Sequence, residues 1–476
     1  MNWSVTRTLV IASGVLVVLL AAVAPPSAGQ QEASPITRTP PCDSKYKKKP
    51  VPSTVLKEIL RSHEQWLEDR EAPGSRRGDL CQADLRGAKL ASANLERIRL
   101  EGAVLRGATL RHSSLLQASL AGADLSNASL EDASLGGADL RQAKLTHANL
   151  ARAVGEEAAL YFATLTGAQL RESNFERAHF EGADLQSADL RSANLTDTYF
   201  YGANLHRAIL SGADLLGADL RRTDLTEATL HQTSLQGALL DQAQLAGARM
   251  TEADLEGAYL DEANLTNANL HEALLRGADL RFTNLESASF QQADLEGVNF
   301  EGARLVKTNL RSANLRKAIL YHAVLDGADF REARLHNAIL IAARGTGTIF
   351  TKADLSDVYA PRVSLNRAQL NEAKLESANF VGADLRGSNL THTNLTNANL
   401  QEANLRGTTL SGANLSSARF DDADLHQTKL YGANLSSALG LTQTQLDTAC
   451  VDDQTKLPSD LSRPAPCVTK SKAAGH

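Results

Sequence analysis

The sequence predicts an all-β solenoid built of short sides and corners, with a short helix at each end. Three observations carry that prediction. From Leu80 to Leu435 a large apolar residue returns at every fifth position without insertion or deletion, as in Ala83-Asp84-Leu85-Arg86-Gly87, Ala123-Asp124-Leu125 and Ala413-Asn414-Leu415. Two positions before each such centre stands a small residue, most often Ala. Outside the repeat the pattern gives way to short amphipathic stretches, at residues 53–69 and 442–449. About seventy consecutive units keep one register, which places a repeat architecture above every other reading.

A period of five belongs neither to a helix nor to a strand. On a helix, successive centres would fall about 140° apart and spiral around the surface. The period fits a chain that runs straight briefly and then turns. Centre and centre-minus-two lie on one side of an extended segment and point inward together. The residues that follow carry the Gly, Ser and Asn that turns favour. Four such sides close a coil of about twenty residues, and coils stack about 4.8 Å apart, so some eighteen coils give a rod roughly 85 Å long. Close packing leaves room for one large and one small residue per side, hence Leu with Ala. Phe takes the centre at Phe175, Phe180, Phe200, Phe290, Phe300, Phe330, Phe350, Phe380 and Phe420, and Phe180 should stack on Phe200 one coil away. Gly155, Gly345 and Ala360 break the rule. Val358 and Val363 can refill the space at Ala360, whereas the two glycines predict a local bulge, either a kink or a notch for a partner.

The motif Ala-Asp/Asn-Leu/Phe-x-x, written here as Ala138-Asp139-Leu140 and Ala398-Asn399-Leu400, resembles that of the pentapeptide-repeat family. The resemblance covers about three quarters of the chain. It implies a right-handed quadrilateral β-helix of pentapeptide repeats with short α-helical caps.

The 476 residues would ordinarily divide into several domains, but a solenoid grows lengthwise and needs no second core. The net charge of −6 implies neither a basic nucleic-acid surface nor an extreme acidic one. Residues 1–29 read as a targeting segment: Arg7 precedes an apolar run over residues 9–24, and Pro25-Pro26-Ser27-Ala28-Gly29 suits cleavage. A cleaved signal peptide is the first reading and an uncleaved inner-membrane anchor the second. Both export the protein, periplasmic or secreted, and membrane contact arises only through residues 9–24 if they are retained. Residues 30–52, with Lys45 and Lys47-Lys48-Lys49, form a linker expected to be a solvated tether. Residues 53–79 hold a cap helix, begun by Ser53 or Thr54, whose stripe of Val55, Leu56, Ile59, Leu60, His63, Trp66 and Leu67 would cover the first coil. His63 reads as a packed residue of that stripe, not a ligand or a base. Residues 80–438 are the β-helix, and residues 439–476 a C-terminal cap and tail similar to those of exported family members. The four cysteines allow three pairings. Cys450 and Cys467 share one short segment and are expected to pair. That leaves Cys42 and Cys81, either linked to each other or with Cys81 a free thiol.

No long insertion between units supplies a cleft for catalysis, and the Asp or Asn before each centre serves the turn backbone. The chain therefore reads as non-enzymatic, with no cofactor and no metal. Arg77-Gly78-Asp79 falls where the first coil begins, with Gly78 in a small-residue slot; Gly345-Thr346-Gly347 is too short for a phosphate loop and lacks a following helix; and the Asn-Leu-Thr triplets arise from the repeat itself. The outer surface is more informative. With twenty residues per coil, one side gathers Tyr161, Tyr199, Tyr201, Tyr259, Ile319, Tyr321, Ile339, Ile341 and Tyr359, joined by Leu239, Pro361 and Val381. Phe162 and Phe282 adjoin it at a corner, and Tyr431 alone among the solenoid tyrosines lies elsewhere. A contiguous apolar stripe of that extent marks an interface. On the adjoining sides Arg171-Glu172 and Arg331-Glu332 should neutralise each other, and Glu156, Glu176, Glu256 and Glu296 form an acidic row. The function that follows is an exported interaction or structural scaffold, binding an unidentified protein or itself and no nucleic acid. The alternative that the resemblance implies is a DNA mimic binding a topoisomerase such as gyrase. That role asks for a strongly acidic surface, against which Arg171, Arg191, Arg311 and Arg331 speak.

Overall fold

The structure, a computed structural model, describes Cys42 and residues 44–465. Residues 1–41, 43 and 466–476, which include the expected targeting segment, most of the expected linker and Cys467, lie outside the described residues. No helix among the described residues is long and apolar enough to cross a membrane.

Residues 79–439 coil into a β-helix with four sides per turn. Parallel bridges join each residue before a centre to the one twenty positions on, as Asp84 to Val104, Val104 to Asp124 and Ile319 to Ile339. The twenty-residue register holds without slip, so every side is a ladder of such bridges. Each centre donates its N–H to the next coil, Leu85 to the Val104 carbonyl at 2.8 Å, and Val104 returns a bond to Ala83 at 2.9 Å. Corners follow at once. The residue three beyond a centre donates to that centre's carbonyl, as Ala83 does to Leu80 at 3.1 Å. The second corner residue takes a positive φ, +53° at Gln82 and +64° at Gly87, the pattern of a type II turn. Gly is at ease there, and Asn, Asp or Ser occupies many of the other corners. The Asp or Asn before each centre also braces the corner, as Asn149 Oδ1 accepts the Ala151 N–H at 3.0 Å.

Centres and their small partners fill the interior and exclude water almost completely. Where Thr replaces Ala its hydroxyl stays satisfied, donating to a core carbonyl as Thr198 does to Phe175 at 3.1 Å and Thr408 to Leu385 at 2.8 Å. Phe180 stacks on Phe200 with ring centroids 5.0 Å apart, and Phe330 on Phe350 at 4.8 Å. Neither glycine centre produces the expected bulge, since Val154 and Arg344 keep their bridges. A Cβ on Gly155 would stand 2.2 Å from Phe175 Cε1, so the phenyl ring of the next coil occupies the space of the missing Leu. At Gly345 the space is closed by Thr348 and Leu325, whose Oγ1 and Cβ would lie 2.2 and 2.9 Å from such a Cβ. Thr348 donates to the Leu325 carbonyl at 2.9 Å.

The ends are covered by non-repeating chain. Residues 44–51 are not the free tether expected of a linker. They pair with the first coil through bridges from Lys47 to Ala83 and Pro50 to Asp84, with Lys48 N–H donating to the Gln82 carbonyl at 2.7 Å. A disulfide joins Cys42 to Cys81 with 5.8 Å between Cα atoms. The reason is geometric: the first coil offers an unpaired edge, and an adjacent extended segment satisfies it. Helix α1 (Ser53–Glu68) begins at Pro52, whose carbonyl accepts the Leu56 N–H at 2.9 Å, and neither Ser53 nor Thr54 caps it. Leu56 and His63 are its buried residues, with Ile59 and Leu60 partly buried against the core. Gly78 N–H donates to His63 Nδ1 at 3.1 Å, so Nε2 carries the ring proton and donates to the Glu96 carbonyl at 3.0 Å. Burial holds the imidazole pKa below its ordinary value. Helix α2 (Gln443–Leu446) is only four residues long and starts on a reciprocal cap between Thr442 and Gln445. Gln445 Nε2 donates to the Phe420 and Ala423 carbonyls, and Leu446 is buried. Cys450 and Lys456 resume pairing with residues 429 and 434. Cys450 is disulfide-bonded, and Cys467, the partner suggested by the sequence, lies outside the described residues.

Candidate interface on the tyrosine side

The register puts the residues just before and just after the centres Leu160, Phe180, Phe200 and onward into two columns on one side. Tyr199, Ile319, Ile339 and Tyr359 belong to the first column, with Ile319, Ile339 and Tyr359 bridged in succession. Tyr259 joins them, bridged to Leu239. Tyr161, Tyr201, Tyr321 and Ile341 stand in the second column. All nine candidate residues therefore share one side. Tyr199, Tyr201 and Tyr321 are exposed at 39%, 42% and 37%, and the other six are half-buried by their neighbours along the columns.

Two residues of this side were not legible as aromatic or apolar positions. His179 inserts between Tyr161 and Tyr199, with centroids 5.0 and 4.6 Å away and planes nearly parallel, completing a three-ring stack. Its Nδ1 lies 3.0 Å from Glu181 Oε1. The available signal was its place twenty residues before Tyr199. Arg222 donates to the Tyr201 hydroxyl at 3.0 Å, and Arg221 and Arg222 both lie 5.9 Å from that ring centroid. Burial, with the charge of Glu181, raises the Tyr161 hydroxyl to about 12, so it remains a hydrogen-bond donor. Among the described residues, Phe162 and Phe282 are the most exposed large apolar side chains, at 65% and 56%. Each ring lies over a glycine of the next coil, Gly182 or Gly302, where any Cβ would come within 2.5 Å of it.

Charge on this side is arranged across the coil. Residues flanking a centre pair with one another at Asp139–Arg141, Asp219–Arg221 and Asp279–Arg281, with N–O distances of 2.7, 2.6 and 2.7 Å. The same relation, with cation first, recurs at Arg99–Glu101, His179–Glu181 and Arg419–Asp421. On the other sides, among the described residues, it occurs at Asp84–Arg86, Asp189–Arg191, Asp329–Arg331 and Asp384–Arg386. Asp241 and Asp261 have no flanking cation. Burial raises both carboxyls above the ordinary range, and Asp261 Oδ1 is buried without a hydrogen-bond partner. The expected pairing of Arg171 with Glu172 and of Arg331 with Glu332 does not occur. Arg171 reaches Asp189 of the next coil at 2.5 Å and Arg331 pairs with Asp329 across its own centre, so each guanidinium is taken by an Asp that precedes a centre.

Catalytic chemistry requires convergent groups in a concave site. Three grooves lie where residues 44–62 rest on the first coils, one being lined by Lys48, Gln82, Asp84 and Arg86. Cys42, Asp79 and Cys81 come together there, but the two sulfurs are bonded to each other.

A family profile described as pentapeptide repeats (8 copies) matches in overlapping stretches from residue 76 to residue 436. A search of curated proteins returned no match. Among solved structures the chain is similar to HetL, a pentapeptide repeat protein involved in heterocyst differentiation regulation in the cyanobacterium Nostoc. Identity is 33% over 50% of this chain and 89% of that one, with a TM-score of 0.23. It is similar to QnrB1, a plasmid-mediated fluoroquinolone resistance protein, at 21% identity over 39% and 83% of the two chains, with a TM-score of 0.19. A pentapeptide repeat protein from the Arabidopsis thaliana thylakoid lumen matches at 22% identity over 30% and 65%, with a TM-score of 0.08.

Proposed function

The chain belongs to the pentapeptide-repeat family, and on that premise we propose that it is a non-enzymatic, exported rod that binds a protein through its tyrosine side. The observation that carries this reading is the concentration of Tyr and Ile in two adjacent columns, three of them exposed tyrosines. Flat β surfaces favour Tyr and Ile in general. That preference is indifferent to side, whereas the tyrosines are not. The two ends serve as caps: α1 with residues 44–51 covers the first coil, and α2 with the segment after it covers the last. An extracytoplasmic location is supported by the apolar run at residues 9–24 and by the use of cysteine in disulfides.

Replacing Tyr199, Tyr201 and Tyr321 with Ser tests the reading. All three lie outside the core, so the fold should persist while self-association or capture of a protein from the export compartment falls. Unchanged sedimentation and pull-down profiles would reduce the stripe to ordinary β surface. Fractionation tests the location, and recovery in the cytoplasm alone would refute export. The DNA-mimic alternative needs an uncompensated acidic array, and the carboxylates flanking centres on this side are largely paired with Arg.

A further inference from the structure

We propose that the partner on the tyrosine side is a second copy of this chain, parallel and level with the first, related by a twofold axis running along the rod over that side. The inference rests on the interaction reading above and adds the identity and orientation of the partner. A rotation about such an axis keeps every coil at its own level and exchanges the two columns. Each residue just after a centre then faces the residue just before the same centre in the other copy.

Under that operation the side complements itself. Arg221 comes over Asp219 of the second copy and Arg281 over its Asp279, so each flanking ion pair becomes a square of alternating charge. Pairs with the cation first, such as His179–Glu181, match equally well, because only opposition across the coil is needed. The uncharged levels also match. Ile341 meets Ile339, Tyr321 meets Ile319, and Asp261, lacking a cation, meets the Tyr259 hydroxyl as a donor. Asp241, opposite Leu239, and Asn379, opposite Val381, are the poor levels. An antiparallel pair would set each column against itself, and the register that brings Arg221 to Glu301 also lays Asp261 on its own copy. Isologous interfaces of this kind close at two copies. From the level of Asp139 to that of Val381 the stripe is about 60 Å long at 4.8 Å per coil and about 10 Å wide, roughly 600 Å² on each copy. That is near the lower bound for a specific interface, so a reversible dimer is expected.

Sedimentation of the purified protein over a concentration series should show a monomer–dimer equilibrium. Arg221→Asp with Arg281→Asp should weaken the dimer by more than about tenfold, since like charges then meet across the axis. Adding Asp219→Arg and Asp279→Arg should restore it, because the reversed pairs complement each other across a parallel twofold just as the native ones do. Spin labels on Phe162→Cys and, separately, Phe282→Cys should each give one short distance between copies, below about 30 Å for faces about 10 Å apart. A protein monomeric at every concentration, a four-fold variant no better than the double reversal, or a long distance at either label would overturn the proposal. A monomer whose tyrosine-to-serine variant still loses capture of another protein would sink the second copy and leave the interaction reading standing. A dimer indifferent to both the charge and the tyrosine variants would sink both.

Discussion

The space above Phe175 gives the sharpest test of how the coils share volume. A Cβ on Gly155 would lie 2.2, 2.5 and 2.9 Å from three atoms of the Phe175 ring, so the ring already fills the site of a centre Leu one coil earlier. Gly155 does not take a left-handed φ, so only space opposes a larger residue there. Gly155→Leu alone must push the ring aside and should cost about 1–3 kcal/mol or more as overpacking. Phe175→Leu alone leaves a gap beside Gly155 and should cost about 1–2 kcal/mol. Together they restore the ordinary Leu-on-Leu side, and the double variant should fall within about 1 kcal/mol of the native protein, a coupling well beyond the few tenths seen between independent sites. Denaturant unfolding measures all four corners of the cycle. Solenoids can open locally, so exchange of the Gly155 amide, bonded to the Asn174 carbonyl at 2.6 Å, gives a second readout. Additive losses in the double variant would refute the view that Phe175 is compensation for Gly155.

Three further outcomes follow from single sites. His63 titrates below its ordinary 6.5 when folded, so the unfolded state binds more protons in that range. The docking of α1 should therefore be at full strength above about pH 6.5 and weaken as pH falls below it, read from Trp66 fluorescence and absent in His63→Gln. Asp261→Asn removes a charge that burial disfavours, so it should raise the melting temperature at pH 8, and the gain should vanish below the ordinary carboxyl value of 3.8, where both forms are neutral; equal gain at pH 3 would refute this origin. Cys42→Ser with Cys81→Ser opens a disulfide spanning 39 residues, worth roughly 4 kcal/mol on a chain-entropy account, and should speed amide exchange in residues 44–90 while leaving coils beyond residue 150 unchanged.

The inward half of this protein was legible because the coil dictates it. Every centre and its small partner must fit a closed square, so periodicity alone located Leu85, Phe180 and Phe420, and four corners of five residues set the register of twenty. Compensation between coils was not legible, since Gly155 and Phe175 break the pattern at different places and nothing in the sequence ties them together. The same holds for His179, a polar residue among aromatics, and for Arg222, which reaches Tyr201 from a corner. Residues 44–51 carry no period at all. Their pairing comes from the demands of the first coil's edge, a tertiary fact, so they resembled a tether. The tyrosine columns followed from the register, but the ion pairs across them did not, because Asp219 and Arg221 look like any unit until both are seen to face outward together.

What the ends do bears on where this rod can associate. An interior coil has its backbone satisfied on both sides by its neighbours, whereas a bare terminal coil would offer four short edges to any other chain. Here Lys47 and Pro50 bridge to the first coil, Cys450 and Lys456 bridge to the last ones, and the side chain of Gln445 takes two further carbonyls. With the proposed caps in place, end-to-end stacking has few free groups to use. Growth along the axis would require unfolding a segment, and each of the two carries a disulfide-bonded cysteine, Cys42 or Cys450. Association is then left to the lateral surface, and most of that surface is turn residues and paired charge that gain little by leaving water. The tyrosine side differs in offering Tyr and Ile that do gain, at about 25 cal/mol per Å² of apolar surface removed from water. The physical case for a lateral contact therefore rests as much on the closure of the ends as on the stripe itself.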